Sequence, residues 1–131
     1  MLSTGIDLIE VERIAGAIER YGQRFLRRIY TNKELEQVGD IIGSLAARWA
    51  AKEAVAKALS TGIGQVAWVE VEILRGANNE PCLYLHGNAA RIAAERNVDS
   101  WSISLSHTRR HAIALVVAQK RENDSRLNEQ N

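Results

Sequence analysis

Two carboxylates and a lysine are the residues of this sequence best suited to chemistry. Asp7 stands in Gly5-Ile6-Asp7-Leu8-Ile9-Glu10, and Glu53 and Lys57 stand in Arg48-Trp49-Ala50-Ala51-Lys52-Glu53-Ala54-Val55-Ala56-Lys57-Ala58-Leu59. Asp7 interrupts an apolar run, where a lone carboxylate is costly unless it faces water or meets a cation. Arg13 or Arg48 could be that cation. An Asp from a strand end and a Glu from a helix are also the usual equipment for a hard divalent ion, since Mg²⁺ takes one or two carboxylates and completes its shell with water and substrate phosphates. The pattern therefore admits phosphate chemistry. It equally admits an exposed helix in which Glu53 and Lys57 form an i,i+4 pair worth about 0.2–0.5 kcal/mol.

A second group of polar residues follows later, in Ser106-His107-Thr108-Arg109-Arg110-His111. On a helix, His107 and His111 would suggest a metal pair, but the flanking strand patterns place them at a hairpin turn, where two rings need not converge. By parity His107 falls on the side of Trp101, Ile103 and Leu105, as a histidine at the rim of the core. The cluster also offers several donors to an anion at one strand end. Gly62-Ile63-Gly64 is a poor dinucleotide fingerprint, because it follows a helix and its third glycine position is Ala67; no phosphate loop occurs either. Helix termination followed by a turn accounts for it, with bare backbone that a ligand could approach.

The elements that must position these groups are legible from periodicity. Leu2 to Leu8 reads as a strand, Glu10 to Tyr21 as a helix ended by Gly22, and Arg24 to Tyr30 as a short basic helix. Thr31 and Glu34 have the spacing of a capping box for the next helix. The alanine-rich segment from Ile42 to Ser60 has high helix propensity and no internal proline. Its Arg48 and Lys52 share one side, while Ala46, Trp49, Ala50 and Ala54 line another. From Val66 the period becomes two, predicting a half-buried strand with Trp68, Glu70, Glu72 and Leu74 on one side, and Cys82 to His86 returns as its hairpin partner. Gly87 to Arg96 resumes a helical pattern. Ser100 to Ser106 and Ala112 to Ala118 are the last strands, the second apolar on both sides and so central or covered at an interface. This is an α+β domain, helices packed on a small antiparallel sheet, over residues 1–118. Residues 119–131 are polar and aperiodic, a tail expected to be disordered.

Composition narrows the function classes. The chain has 131 residues, 46% of them hydrophobic, enough for one domain with a core built mostly of Ala, Val, Ile and Leu. The formal net charge is +1, which argues against a protein devoted to nucleic acid. The charge is uneven, however. Arg20, Arg24, Arg27, Arg28 and Lys33 fall in a stretch without an acidic residue, a basic face suited to an acidic protein more than to RNA, which would call for more exposed aromatics. The single cysteine, Cys82, allows no intrachain disulfide. No apolar run has membrane-spanning length, and the chain reads as cytoplasmic.

In order along the chain, Gly5-Ile6-Asp7-Leu8-Ile9-Glu10, Arg24-Phe25 with Tyr30-Thr31 and Glu34-Leu35, Arg48-Trp49-Ala50-Ala51-Lys52-Glu53-Ala54 with Lys57-Ala58, and Ser102-Ile103-Ser104-Leu105-Ser106-His107 resemble the holo-acyl-carrier-protein synthase family, small 4′-phosphopantetheinyl transferases. The resemblance runs from Met1 to Ala118. It implies a Mg²⁺-dependent transfer of phosphopantetheine from coenzyme A to a serine of apo-acyl carrier protein, releasing adenosine 3′,5′-bisphosphate. It implies further that Asp7 and Glu53 are metal ligands, that Glu53 and Lys57 are catalytic, and that Arg48, Lys57, Gly62, His107 and Thr108 lie around the coenzyme, the last two near its 3′-phosphate. The acidic carrier would dock on Arg13, Arg24, Phe25 and Arg28. The assembly would be a homotrimer with sites between subunits, which would cover the second face of the strand Ala112 to Ala118. Departures from the family pattern are mild, Trp49 for a commoner Phe and Asn79-Glu80-Pro81 for Gly-Lys-Pro. Without the resemblance, a noncatalytic oligomeric module binding acidic proteins or RNA through Arg24 to Arg28 would fit the same residues.

Overall fold

A computed structural model describes residues 1–122. The chain runs β1 (Leu2–Glu10), α1 (Val11–Tyr21), α2 (Gln23–Ile29), α3 (Asn32–Val38), α4 (Ile42–Ala58), a 3₁₀ turn (Trp68–Glu70), β2 (Val71–Arg75), β3 (Pro81–Leu85), α5 (Gly87–Glu95), β4 (Val98–His107) and β5 (His111–Lys120). Strands β1, β5 and β4 form an antiparallel sheet in that order, and β2 and β3 form a separate hairpin. This is the expected α+β architecture, with β5 central.

Helix α4 is the axis of the core. Its alanines at 46, 47, 50, 51, 54, 56 and 58 are all buried. Small side chains let the sheet approach the helix closely, and two polar ties hold that approach: Ser3 Oγ donates to the carbonyl of Ala58, and Lys57 Nζ donates to the carbonyl of Ile6 at 2.9 Å. Gly5 marks the closest point. A Cβ at that position would collide with the backbone carbonyl of Ala54, which cannot rotate away as a side chain could. Gly5→Ala is therefore expected to lower unfolding free energy by about 1–3 kcal/mol, the usual cost of forcing atoms into a packed core. Urea denaturation measures it, and a midpoint equal to that of the parent protein would mean that strand and helix can part freely.

The capping box on α3 is present as expected: Thr31 Oγ1 accepts from the Glu34 amide, and Glu34 Oε1 accepts from the Thr31 amide. The Glu34 carboxylate also does something the capping pattern does not announce. It is wholly buried and forms an ion pair with Lys52 at 2.8 Å, while its Oε2 accepts from the Ile73 amide at 3.0 Å. Lys52 Nζ additionally donates to the carbonyls of Trp68 and Val71. Three acceptors for three ammonium protons leave this buried charge satisfied. The network pins α3, α4 and β2 together.

The side of α4 that carries Arg48 and Lys52 faces the interior, because Glu34 and the β2 carbonyls supply partners for both cations. Two expectations are corrected. The segment 66–70 is loop and 3₁₀ turn rather than strand, and Glu72 is buried rather than wet, accepting from Thr31 Oγ1 and bonded to His86 Nε2 at 3.1 Å. Two polar partners from other elements made an inward glutamate affordable there. Finally, β5 continues through Gln119 and Lys120, paired with Leu2 and Val98 respectively, so the domain extends past residue 118. The part of the expected tail from 123 to 131 lies outside the described residues.

Candidate active site

Register and helix phase bring the acid pair together. On β1, Ser3, Gly5, Asp7 and Ile9 alternate toward α4, and Asp7 is paired across the sheet with Ala114, also on that face. Along the later turns of α4, the residues that reach the surface are Trp49, Glu53 and Lys57, four apart and therefore stacked on one side. Asp7 Oδ1 receives Lys57 Nζ at 3.0 Å. The cation that meets Asp7 is thus Lys57, and neither Arg13 nor Arg48. The surface i,i+4 pair between Glu53 and Lys57 is not what forms: Lys57 turns to the strand, and Glu53 takes part in no ion pair among the described residues.

Glu53 is left electrostatically uncomfortable. Burial, then the neighbouring Asp7 charge, raise its pKa above the ordinary glutamate value, and Lys57 only partly offsets them. The other Asp7 oxygen, Oδ2, is buried and has no hydrogen-bond partner. An orphaned anionic oxygen beside a destabilised carboxylate is a local shortage of positive charge. A hard cation remedies it, so the residues present fit Mg²⁺. They fit it as a pair of ligands and not as a full cage, since no cluster of three or more His, Cys, Asp or Glu suited to a metal occurs among the described residues. Mg²⁺ tolerates that arrangement because it retains water and binds substrate phosphates.

The remaining expected coenzyme contacts are dispersed. Gly62 lies in the loop after α4, with nothing within 4 Å of where a Cβ would stand. Arg48 is buried and donates to the carbonyls of Ile73 and Ser44, so its guanidinium braces α4 against β2 and does not join the acid pair. His107 closes β4 and packs its ring on Gly43, near the start of α4. The ring lies on the α4 side of the sheet, as parity predicts, but it is exposed and makes no side-chain hydrogen bond among the described residues. Thr108 Oγ1 accepts from the amides of Arg110 and His111 and so holds the β4–β5 turn. Gly43 and Glu53 are ten residues apart on α4, or about 15 Å at 1.5 Å per residue. One chain therefore presents the acid pair and the histidine as two separate patches.

The basic face is real as a surface. Arg24, Phe25 and Arg28 line one hollow with Tyr21, of about 410 Å³. Arg13 is exposed on α1, outside that hollow. Phe25 is partly buried, edge-on to Tyr30 at 6.3 Å between ring centroids, which fixes its position between the two arginines.

Two glycines also shape the site. Gly5 carries a signal in the sequence, since a glycine inside an apolar strand marks close approach of another backbone. Gly43 left no comparable signal, because its neighbour His107 is remote in sequence.

Comparison with known proteins agrees with this geometry. A family model described as the 4′-phosphopantetheinyl transferase superfamily matches residues 3–116. Holo-[acyl-carrier-protein] synthase of Herpetosiphon aurantiacus is 51% identical over 124 residues, covering 89% of this chain and 98% of that protein. The synthase of Dehalococcoides mccartyi is 49% identical, covering 91% and 99%. Among solved structures, the Neisseria meningitidis synthase superposes with a TM-score of 0.82 at 34% identity, covering 90% of this chain and 98% of that one. The Helicobacter pylori synthase, in complex with coenzyme A, gives 0.81 at 32%, covering 88% and 99%. The chain belongs to the holo-acyl-carrier-protein synthase family of the 4′-phosphopantetheinyl transferase superfamily, a family of enzymes. Among the described residues no helix is long and apolar enough to cross a membrane.

Proposed function

We propose that this enzyme transfers the 4′-phosphopantetheine group of coenzyme A to a serine of an apo-acyl carrier protein, with Mg²⁺ held by Asp7 and Glu53. The observation that carries the reading is the unpartnered Asp7 Oδ2 beside the destabilised Glu53. Mg²⁺ bound there supplies charge stabilisation to the diphosphate oxygens. Lys57, half exposed on a flexible stem, can leave Asp7 and neutralise a further diphosphate oxygen. Glu53 accepts the serine proton through a water. The serine oxygen bonds to the phosphorus that bears pantetheine as the bond from that phosphorus to the bridging oxygen breaks, and adenosine 3′,5′-bisphosphate departs. Gly62, His107 and Thr108 bind the rest of the coenzyme. Arg48, buried as it is, has at most an indirect part.

A homotrimer belongs to the same proposal. The face of the large sheet turned away from α4 carries Leu2, Ile6, Leu8, Ile113 and Leu115, all exposed in the single chain. Ile6 is paired with Leu115 and Leu8 with Ile113, so these residues form one contiguous apolar surface, which a lone protein rarely leaves open. The separation of His107 from the acid pair supports sites completed between subunits. Sedimentation should give three times the chain mass; a fully active monomer would overturn this part. A cytoplasmic setting is also proposed, compatible with the unpaired Cys82.

The decisive experiment incubates the purified protein with apo-carrier protein, coenzyme A and MgCl₂, and reads the carrier's mass. A phosphopantetheine adduct that disappears with chelator is expected, and its absence with a carrier known to be competent would defeat the proposal. Charge reversal by Arg24→Glu with Arg28→Glu should raise the KM for carrier by roughly tenfold to a hundredfold at low salt, with less effect at high salt, because long-range attraction is screened. An unchanged KM would remove the basic hollow from the docking surface.

A further inference from the structure

The seat of His107 is the first turn of α4. Gly43 has no side chain, and the imidazole lies against it so closely that a Cβ there would stand 2.6 Å from Nδ1 and 2.8 Å from Cε1. Ordinary contact between such atoms needs about 3.5 Å or more, so any side chain at position 43 must push the ring aside by roughly 1 Å. The other end of the histidine is fixed. It closes β4 opposite Ala112, and the turn beyond it is held by the Thr108 amide donating to the carbonyl of His111 at 2.8 Å and by the two amides bonded to Thr108 Oγ1. Beside this contact a cleft of about 650 Å³ opens, to which Glu10, Glu12, Ile42, Arg109, Arg110 and His111 contribute. A pinned strand end thus brings the ring against a bare helical turn at the edge of a cleft that carries both arginines and carboxylates.

We propose that Gly43 is a positioning residue that sets the enzyme's preference for coenzyme A over its dephospho form, by fixing the imidazole of His107 where it meets the 3′-phosphate. This rests on the reading of His107 as a contact to that phosphate. Hydrogen bonds to phosphate oxygens depend on donor placement, and a misplacement of about 1 Å can cost as much as a hundredfold. Gly43 touches neither the acid pair nor Lys57, so the chemical step is unaffected by its replacement. Alanine is also the better helix former, so the substitution does not weaken α4 itself.

The test measures KM and kcat with coenzyme A and with dephospho-coenzyme A for the parent protein, Gly43→Ala and His107→Ala, together with Tm. For Gly43→Ala the KM for coenzyme A should rise roughly tenfold. The KM for dephospho-coenzyme A, kcat and Tm should hold or, for Tm, increase. His107→Ala should lose the same discrimination. If His107→Ala leaves discrimination intact, the underlying assignment of His107 fails. If His107→Ala loses it while Gly43→Ala keeps it, the seat is wrong although the assignment stands. Equal rises in both KM values, or a lowered Tm, would show general damage and also overturn the proposal. Long-range ¹H–¹⁵N spectra of the His107 ring supply a second reading, and unchanged ring signals in Gly43→Ala would refute displacement.

Discussion

Glu53→Gln is expected to give a protein that is more stable and almost inactive. Its carboxylate is raised in pKa by burial and by Asp7, so between the ordinary glutamate value and the raised one the folded state binds more protons than the unfolded state. Unfolding free energy then falls as pH climbs through that window, and at neutral pH the ionised group subtracts from stability. Glutamine removes the charge while keeping the shape. The apo-protein should therefore melt higher than the parent at neutral pH, and the difference should vanish in acid, below the ordinary glutamate pKa. Activity should move the other way, with kcat lower by about 10²–10⁴-fold, the range for losing a positioned base, and more if metal affinity also collapses. Adding MgCl₂ should raise Tm for the parent but not for the variant, because the proposed cation site needs both carboxylates. Thermal melts across pH with and without MgCl₂, alongside the adduct assay, examine all of this; a variant less stable than its parent at neutral pH would contradict the electrostatic account.

Lys52→Met should be the most damaging change to stability. Lys52 and Glu34 have no solvent exposure, and burial pushes the ammonium below its ordinary pKa while Glu34 opposes that shift. Removing the cation alone strands a buried carboxylate, for an expected loss of about 3–5 kcal/mol. Adding Glu34→Gln should recover part of that loss, since no unpaired charge then remains inside. Equilibrium urea unfolding of both variants separates these contributions, and a single-variant loss below about 1 kcal/mol would mean that water reaches the pair. The effect is structural, so kcat measured well below the melting temperature should be nearly that of the parent.

These two lysine–acid pairs show why the alanine-rich helix was only half legible. Lys52 and Lys57 are five residues apart on one helix, yet one is interior and the other is at the surface. Helix periodicity correctly separated their sides. It could not say which side faced the core, because the deciding partners, Glu34 and the carbonyls of Trp68 and Val71, come from other elements. The same limit explains Glu72, whose strand parity suggested water until Thr31 and His86 supplied hydrogen bonds. Strand parity did succeed in placing His107 on the α4 side of the sheet. A period of two is enforced by backbone geometry, and the alternation of Trp101, Ile103 and Leu105 before it left little freedom of register.

By itself the sequence determined most of the elements, their order, the α+β class and the motif set that marks the family, because propensity, periodicity and capping act over a few residues at a time. Only the tertiary structure decided that Asp7 meets Lys57 and Glu53 across the Gly5 contact, that Arg48 and Lys52 turn inward, and that His107 rests on Gly43. Each of those outcomes is a contact between residues far apart in the chain. Their geometry depends on how closely two backbones can approach and on which buried charge finds its partner first, and neither quantity is written in a local pattern.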